Sequence, residues 1–265
     1  MKIDGRRVIV TGASSGIGRS LFELLAEREA TVLGAARRGE SIRKTIRSLK
    51  APRARLEAMS CDLSVRRDVD RLFKDVGRRW GGVDIFFANA GFAYYEKLGR
   101  PDWARIRALF DLNVFSVVYS LEKMAEISAG RDFHFVITAS GVSTLAMPGY
   151  ALYSASKAAL ERFVEAFRFE MGPGARISMV YPIATRTGFF AAAGRNVPVP
   201  WPVQDPRRVS RSIIRGVEKD RKRIHPSRLF RLTSFLDRFA PLIGRAYQKR
   251  AAGAFERWTA KQGGK

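Results

Sequence analysis

Along most of the chain, short β-rich apolar runs alternate with stretches whose apolar residues recur at helical spacing. Arg7-Val8-Ile9-Val10-Thr11 is followed by Leu21, Phe22, Leu24 and Leu25, and Thr31 to Ala36 by a helix from about Glu40 to Lys50. Leu56 to Ser60 precedes a charged amphipathic helix ending near Trp80, and Val83-Asp84-Ile85-Phe86-Phe87 precedes a long helical stretch from Pro101 to about Ser128. His134 to Ala139 reads as a buried strand, and a helix near Pro206 to Lys219 leads to a final short strand within Arg221 to Pro226. Strands separated by helices predict parallel pairing, right-handed crossovers and helices on both faces. The expected fold class is α/β, a doubly wound and mainly parallel sheet.

With 265 residues and 46% hydrophobic content, the chain can bury one sizeable core, and a single domain over residues 1–265 is expected. No apolar run reaches the roughly eighteen residues of a membrane span. The opening Met1-Lys2-Ile3-Asp4-Gly5 runs directly into a strand, without the regions of a signal peptide. The single cysteine, Cys61, rules out a disulfide within the chain and supplies no metal cluster. A reducing, cytoplasmic setting is expected.

Between the first strand and first helix lies Gly12-Ala13-Ser14-Ser15-Gly16-Ile17-Gly18. A strand, a tight glycine turn and a helix in that order aim unpaired backbone N–H groups from a helix N-terminus, where hydrogen bonds and the helix dipole stabilise a pyrophosphate. Gly12 permits the turn, Gly16 the approach of phosphates, and Gly18 close packing of helix on sheet. This is the pattern of a Rossmann-type dinucleotide site; incidental glycines in a βα loop are the plainer reading. The second strand ends at Ala36, followed by Arg37 and Arg38. A carboxylate near here would hold a ribose 2′-hydroxyl, whereas arginines accommodate a 2′-phosphate, so NADP is the expected cofactor. The competing reading is a solvated basic cap on the next helix.

Tyr153 and Lys157 stand four apart, which places both on one helical face, and Ser140 lies thirteen residues before Tyr153 at the carboxyl end of a strand. Open α/β sheets carry their chemistry at that end. A phenol of ordinary pKa about 10 is a poor acid or base at neutral pH, and a neighbouring ammonium favours the phenolate. The three residues form a candidate proton-transfer site.

Taken together, Thr11-Gly12-x-x-x-Gly16-x-Gly18, Asp62-Leu63, Asn89-Ala90-Gly91, Asn113, Ser140, Tyr153-x-x-x-Lys157 and Tyr181-Pro182 followed by Thr187 resemble the short-chain dehydrogenase/reductase superfamily, in its order and spacing, over roughly residues 5 to 190. The resemblance implies that Tyr153 donates a proton to a substrate carbonyl as hydride arrives from the nicotinamide, and accepts it in reverse. It implies further that Ser140 holds the carbonyl oxygen, that Lys157 binds the nicotinamide ribose and lowers the Tyr153 pKa, and that Asn113 holds a water leading to Lys157. Ser14, Ser15 and Ile17 fall to the phosphate loop, Asp62 and Leu63 to the adenine pocket, and Asn89, Ala90 and Gly91 to the end of the fourth strand. Pro182 and Thr187 fall to the carboxamide side. The family's usual Pro-Gly after the sixth strand is Pro182-Ile183 here, which adds apolar bulk near the nicotinamide. Neither His134 nor His225 matches a catalytic position, and both read as structural.

Residues 186–204 resemble the family's substrate loop. Phe189, Phe190, Val197, Val199 and Trp201, with Leu145, Met147 and Tyr150 opposite, would form an apolar mouth for a hydrophobic carbonyl or alcohol; ordinary packing is the alternative. The net charge of +23 is concentrated in the tail, where residues 201–265 carry 17 Lys/Arg against 5 Asp/Glu and the first two hundred carry 31 against 20. In the segment from about 227 to 265, Leu229, Leu232, Phe235, Leu236 and Phe239 share a helical face bordered by Arg228, Arg231 and Arg238. Pro241 predicts a break, after which Ile243, Tyr247, Phe255 and Trp258 are interleaved with Arg245, Lys249, Arg250 and Arg257. Such a segment either lies on an anionic membrane interface or packs on the core or in a homodimer. Nucleic acid is disfavoured, because no zinc-finger spacing, RNP-type motif or stacking platform accompanies the charge. An enzyme is the leading reading; the rival is a non-catalytic dinucleotide-binding protein whose tail engages a partner or membrane.

Overall fold

A computed structural model describes residues 1–128, 130–237 and 239–263; Arg238 lies outside the described residues. The apolar runs form β1 (Arg7–Thr11), β2 (Thr31–Ala36), β3 (Arg55–Ser60), β4 (Ile85–Ala88), β5 (Phe133–Thr138), β6 (Ala175–Val180) and β7 (Arg223–Ile224). They pair in the order β3-β2-β1-β4-β5-β6-β7, and every pairing is parallel. The order reverses between β1 and β4, which opens a crevice at their carboxyl ends.

Alternation along the strands sorts the core into two layers, because successive side chains point to opposite faces. Val8, Val10, Ile85 and Phe87 meet α1 (Gly16–Leu25), α2 (Gly39–Ser48) and α8 (Pro206–Glu218). Ile9, Phe86, Phe135 and Ile137 meet α3 (Arg66–Trp80), α5 (Ser116–Ile127) and α6 (Ala151–Phe167). On that side Phe73, Phe86 and Phe135 stack with centroids 5.6 and 4.9 Å apart. Both faces of the sheet are covered, so Val8–Val10 of β1 and Ile85–Ala88 of β4 are continuously apolar.

The stretch expected as one helix from Pro101 to Ser128 is α4 (Trp103–Phe110), a π-turn over Asp111–Phe115, and α5. The substrate loop contains α7 (Phe189–Ala193), and a bridge between Thr185 and Gln204 closes its base. The tail breaks before Pro241 as expected, giving α9 (Arg228–Leu236) and α10 (Leu242–Gly263). Among the described residues, no helix is long and apolar enough to cross a membrane. Cys61 is free and buried, and burial pushes its thiol up to about 12.

His134 is 1% exposed, with Nε2 2.8 Å from Ser178 Oγ, in keeping with a structural role. Burial holds its imidazole down to about 4 from 6.5. Between those values the unfolded chain binds a proton that the folded chain refuses, so stability present above pH 6.5 is lost as pH falls toward 4. The loss is on the order of 3 kcal/mol. The urea midpoint of the parent should therefore drop more between neutral pH and about pH 4.5 than that of His134→Asn. Equal drops would assign acid sensitivity to other groups.

Candidate active site

The carboxyl ends of β1, β2, β4, β5 and β6 open into a cleft of about 1480 Å³. Its floor is the glycine turn. Gly12 has φ 68°, a left-handed conformation that favours glycine. A Cβ on Gly18 would strike the Gly12 carbonyl oxygen, so α1 can approach the sheet only with glycine there. Ser15 caps α1 without a side-chain hydrogen bond, and the first turn of the helix carries no acidic residue. Its first N–H groups are therefore not claimed by a local carboxylate or hydroxyl, and Ser14, Ser15, Gly16 and Ile17 line the cleft beside them. A cradle of this kind fits a pyrophosphate.

Asn89 ties the sheet together beneath the cleft. Its backbone N–H donates to Thr11 Oγ1 at 2.9 Å and its Nδ2 to Thr11 O at 3.2 Å, while Oδ1 accepts from Thr138 Oγ1 at 3.3 Å. One side chain thus joins the ends of β1, β4 and β5. Asp62 accepts hydrogen bonds from Ser64 N and Oγ at 3.0 and 2.7 Å, which fixes its carboxylate at the rim. Leu63, Ala90 and Gly91 line the same side, as do Pro182 and Thr187 opposite. Arg37 and Arg38 stand exposed on the rim after β2, and neither joins an ion pair among the described residues.

Ser140, Tyr153 and Lys157 converge in the middle of the cleft. Ser140 caps a short 3-10 turn at Gly141–Ser143, and its Oγ accepts from Val142 N at 3.3 Å. That bond leaves its proton free to be donated. Tyr153 and Lys157 are 8 and 4% exposed on α6. Lys157 Nζ donates to Thr138 O at 2.9 Å and lies 5.8 Å from the Tyr153 ring centroid. Burial pulls the Lys157 ammonium down to about 8. It also pushes the Tyr153 phenol up to about 12, against a hydrogen bond from Ser140 that favours the phenolate. The expected lowering of the Tyr153 pKa by Lys157 is not seen: the Ser140 hydrogen bond is what favours the phenolate, and desolvation disfavours the charged form of both groups.

Two of the expected site residues do not line the cleft. Gly18 acts through helix packing, and Asn113 lies behind the wall, fully buried in the π-turn. Its Nδ2 donates to Phe92 O at 2.8 Å and Ser156 Oγ at 3.2 Å, and its Oδ1 accepts from Phe92 N at 3.1 Å. These bonds brace the segment that follows Gly91 against α6. A Cβ on Gly91 would lie 3.1 Å from Asn113 Oδ1 and 3.6 Å from Lys157 Nζ, so glycine keeps the space between them open.

The far half of the cleft is apolar. Phe189, Phe190, Val199, Trp201, Leu145, Met147 and Tyr150 line it as expected, whereas Val197 packs behind them. Ile183 is half-buried against Gly141. Tyr95 was not singled out by sequence reasoning, although the aromatic run Phe92 to Tyr95 directly after Asn89-Ala90-Gly91 was a usable signal. Its ring lies 4.8 Å from Tyr150 and 4.8 Å from Trp258, and Tyr150 lies 6.0 Å from Tyr153. Helix α10 forms the other wall, following the core-packing alternative for the tail. Gln248 Nε2 donates to Ala146 O at 2.8 Å on one rim, while Tyr247 Oη donates to Trp201 O at 2.9 Å and Trp258 Nε1 to Arg195 O at 3.0 Å on the other. The second half of the tail is therefore core-packed, contrary to an interfacial placement of Tyr247 and Trp258.

Comparison with known proteins agrees with this architecture. The sequence model of the short chain dehydrogenase family matches residues 6–197. Farnesol dehydrogenase of Aedes aegypti is 33% identical over 192 residues, covering 69% of this chain and 78% of its own. A short-chain dehydrogenase/reductase from Burkholderia phymatum in complex with NAD superposes with a TM-score of 0.79 at 24% identity, covering 90% of this chain and 94% of its own. A short-chain dehydrogenase from Sphingobium yanoikuyae in complex with NADPH superposes with 0.78 at 23%, covering 90 and 95%. At such identities these two structures speak for the fold alone. The glycine turn, the Ser140, Tyr153 and Lys157 cluster and the match over 6–197 together make this chain a member of the short-chain dehydrogenase/reductase family of oxidoreductases.

Proposed function

We propose that the chain is an NADP-dependent oxidoreductase that interconverts a ketone or aldehyde with an alcohol on an apolar, lipid-like molecule. The observation that carries this reading is the joining, in one cleft, of a polar Ser140, Tyr153 and Lys157 centre to an aromatic half walled by Tyr95, Tyr150 and Phe189. A bound nicotinamide supplies the hydride. Tyr153 Oη holds the proton for the carbonyl oxygen, Ser140 donates to that oxygen as negative charge grows on it, and Lys157 Nζ, anchored on Thr138 O, keeps positive charge next to the phenol. Asn113 acts through Phe92 and α6, holding the wall that carries Lys157. Residues 1–265 act as one catalytic unit, with 186–204 covering the substrate.

NADP is supported by Arg37 and Arg38, two exposed cations at the rim without ion pairs among the described residues, where a 2′-phosphate would sit. An apolar substrate is supported by the aromatic wall and by the relative named for farnesol. A single buried thiol suits a reducing compartment. A binding-only role gives no account of Ser140 and Tyr153 converging with Lys157 in one cleft: cofactor binding alone uses the Lys157 ammonium, whereas proton transfer uses all three. Purified protein should oxidise NADPH faster with long-chain or terpenoid ketones than with short polar ones, measured by absorbance of the reduced nicotinamide. No turnover across a broad apolar panel would sink the proposal.

A further inference from the structure

Helix α9 is turned inside out. A helix on a folded core normally directs its apolar stripe inward. Here Thr233, Ser234 and Asp237 are half-buried, whereas Leu229, Leu232, Phe235 and Leu236 are 53, 57, 56 and 45% exposed. Phe230 turns inward instead, toward Gly141 and within 6.2 Å of the His225 ring. The segment leading into α10 extends the outward face with Phe239, Leu242 and Ile243, at 77, 69 and 45%. A contiguous apolar patch of this kind on a folded chain marks a docking site.

Its border is cationic. Arg228, Arg231 and Arg245, which flank it in the chain, are exposed, and none of them joins an ion pair among the described residues. Elsewhere arginines are widely paired, as in Arg7–Asp84, Arg79–Asp75 and Arg105–Glu96. Between 227 and 263 the acidic residues are Asp237 and Glu256, and Asp237 Oδ1 is taken by Gly244 N at 3.0 Å. An apolar face within an unneutralised basic collar complements a surface that is oily beneath and negative at its boundary.

We propose that the outward face of α9 and the first turn of α10 dock on an anionic lipid surface. A second copy fits less well, because a two-fold contact sets a patch against its own likeness and would bring the two collars together, Arg228 and Arg245 included. Docking also has a consequence for the cleft. Leu229, Phe235 and Ile243 both line the cleft and stand at the exposed face, so the cleft opens where the lipid would lie. An apolar substrate then passes from lipid to active site without crossing water, a step that rests on the proposed function.

The test uses full-length protein and co-sedimentation with phosphatidylcholine vesicles, with and without phosphatidylserine, at low and high salt. Binding is expected to the anionic vesicles, weakened by salt, and not to the neutral ones. Leu232→Ser with Phe239→Ser removes apolar contact, and Arg228→Glu with Arg245→Glu removes charge; none of these side chains lines the cleft. With each cation near a membrane contributing about fivefold, the charge variant should bind about twentyfold more weakly or worse. Unchanged NADPH titration and thermal midpoint show that the variants fold. No sedimentation of the parent at low salt overturns the proposal, as does a charge variant that binds like the parent. A dimer that the Leu232→Ser, Phe239→Ser variant splits, with no vesicle binding, gives the face to a second copy. Turnover separates the two readings. A long-chain ketone dissolved in anionic vesicles should slow in the apolar variant while a water-soluble ketone does not. If neither is reduced by the parent, the proposed activity fails and vesicle binding still decides the docking.

Discussion

Tyr153→Phe is expected to lower turnover by about 10²- to 10⁴-fold, the range for loss of a positioned general acid, while cofactor affinity stays nearly unchanged. The ring sits on α6 between Tyr150 and Phe189, with centroids at 6.0 and 5.5 Å. Phe keeps that packing, so the variant removes only the hydroxyl that exchanges a hydrogen bond with Ser140. Lys157→Ala should behave differently. It removes the ammonium that donates to Thr138 O and should weaken both turnover and cofactor binding. Nicotinamide titrations by fluorescence, beside steady-state rates, separate the two patterns. A Phe variant with the parent's rate would show that Tyr153 is not the acid.

Ala36→Asp combined with Arg37→Ala is expected to shift preference from NADPH toward NADH. A hydrogen bond to a charged phosphate contributes roughly 1.5 to 3 kcal/mol, about ten- to a hundredfold in affinity. The new carboxylate would also repel a 2′-phosphate and offer an acceptor to a 2′-hydroxyl. Arg37 is exposed, and Ala36, although buried at the edge of one core layer, lines the cleft at the end of β2, so the aspartate would face the cleft. Dissociation constants for both nucleotides in parent and variant decide the matter. Equal or tighter NADH binding by the parent would show that the arginines do not read the phosphate.

The order of strands and helices, the glycine turn and the Tyr153 to Lys157 spacing were legible along the chain because each rests on near neighbours. A period of two or of 3.6 residues, a left-handed turn that favours glycine and two side chains one helical turn apart are local geometry. The two-layer core follows from the same alternation, since Val8 and Val10 must face away from Ile9. Other features depend on partners far away in sequence. The π-turn that buries Asn113 is set by Phe92 and Ser156, and Tyr95 becomes a wall only because Tyr150 and Trp258 arrive beside it.

The tail shows the division most clearly. Its periodicity specified two helices and a break at Pro241, but not which face turns to the core. Helix α10 spans both rims because Gln248 meets Ala146 and Tyr247 meets Trp201, whereas α9 keeps its leucines outside. The protonation of the site was likewise hidden. The Tyr153 to Lys157 spacing suggested an ammonium lowering a phenol, yet burial works against both charges and leaves Tyr153 near 12 and Lys157 near 8. Local pattern reports which conformation a segment prefers; exposure and desolvation are properties of the whole packed chain, and they arise only when segments distant in sequence exclude water from one another.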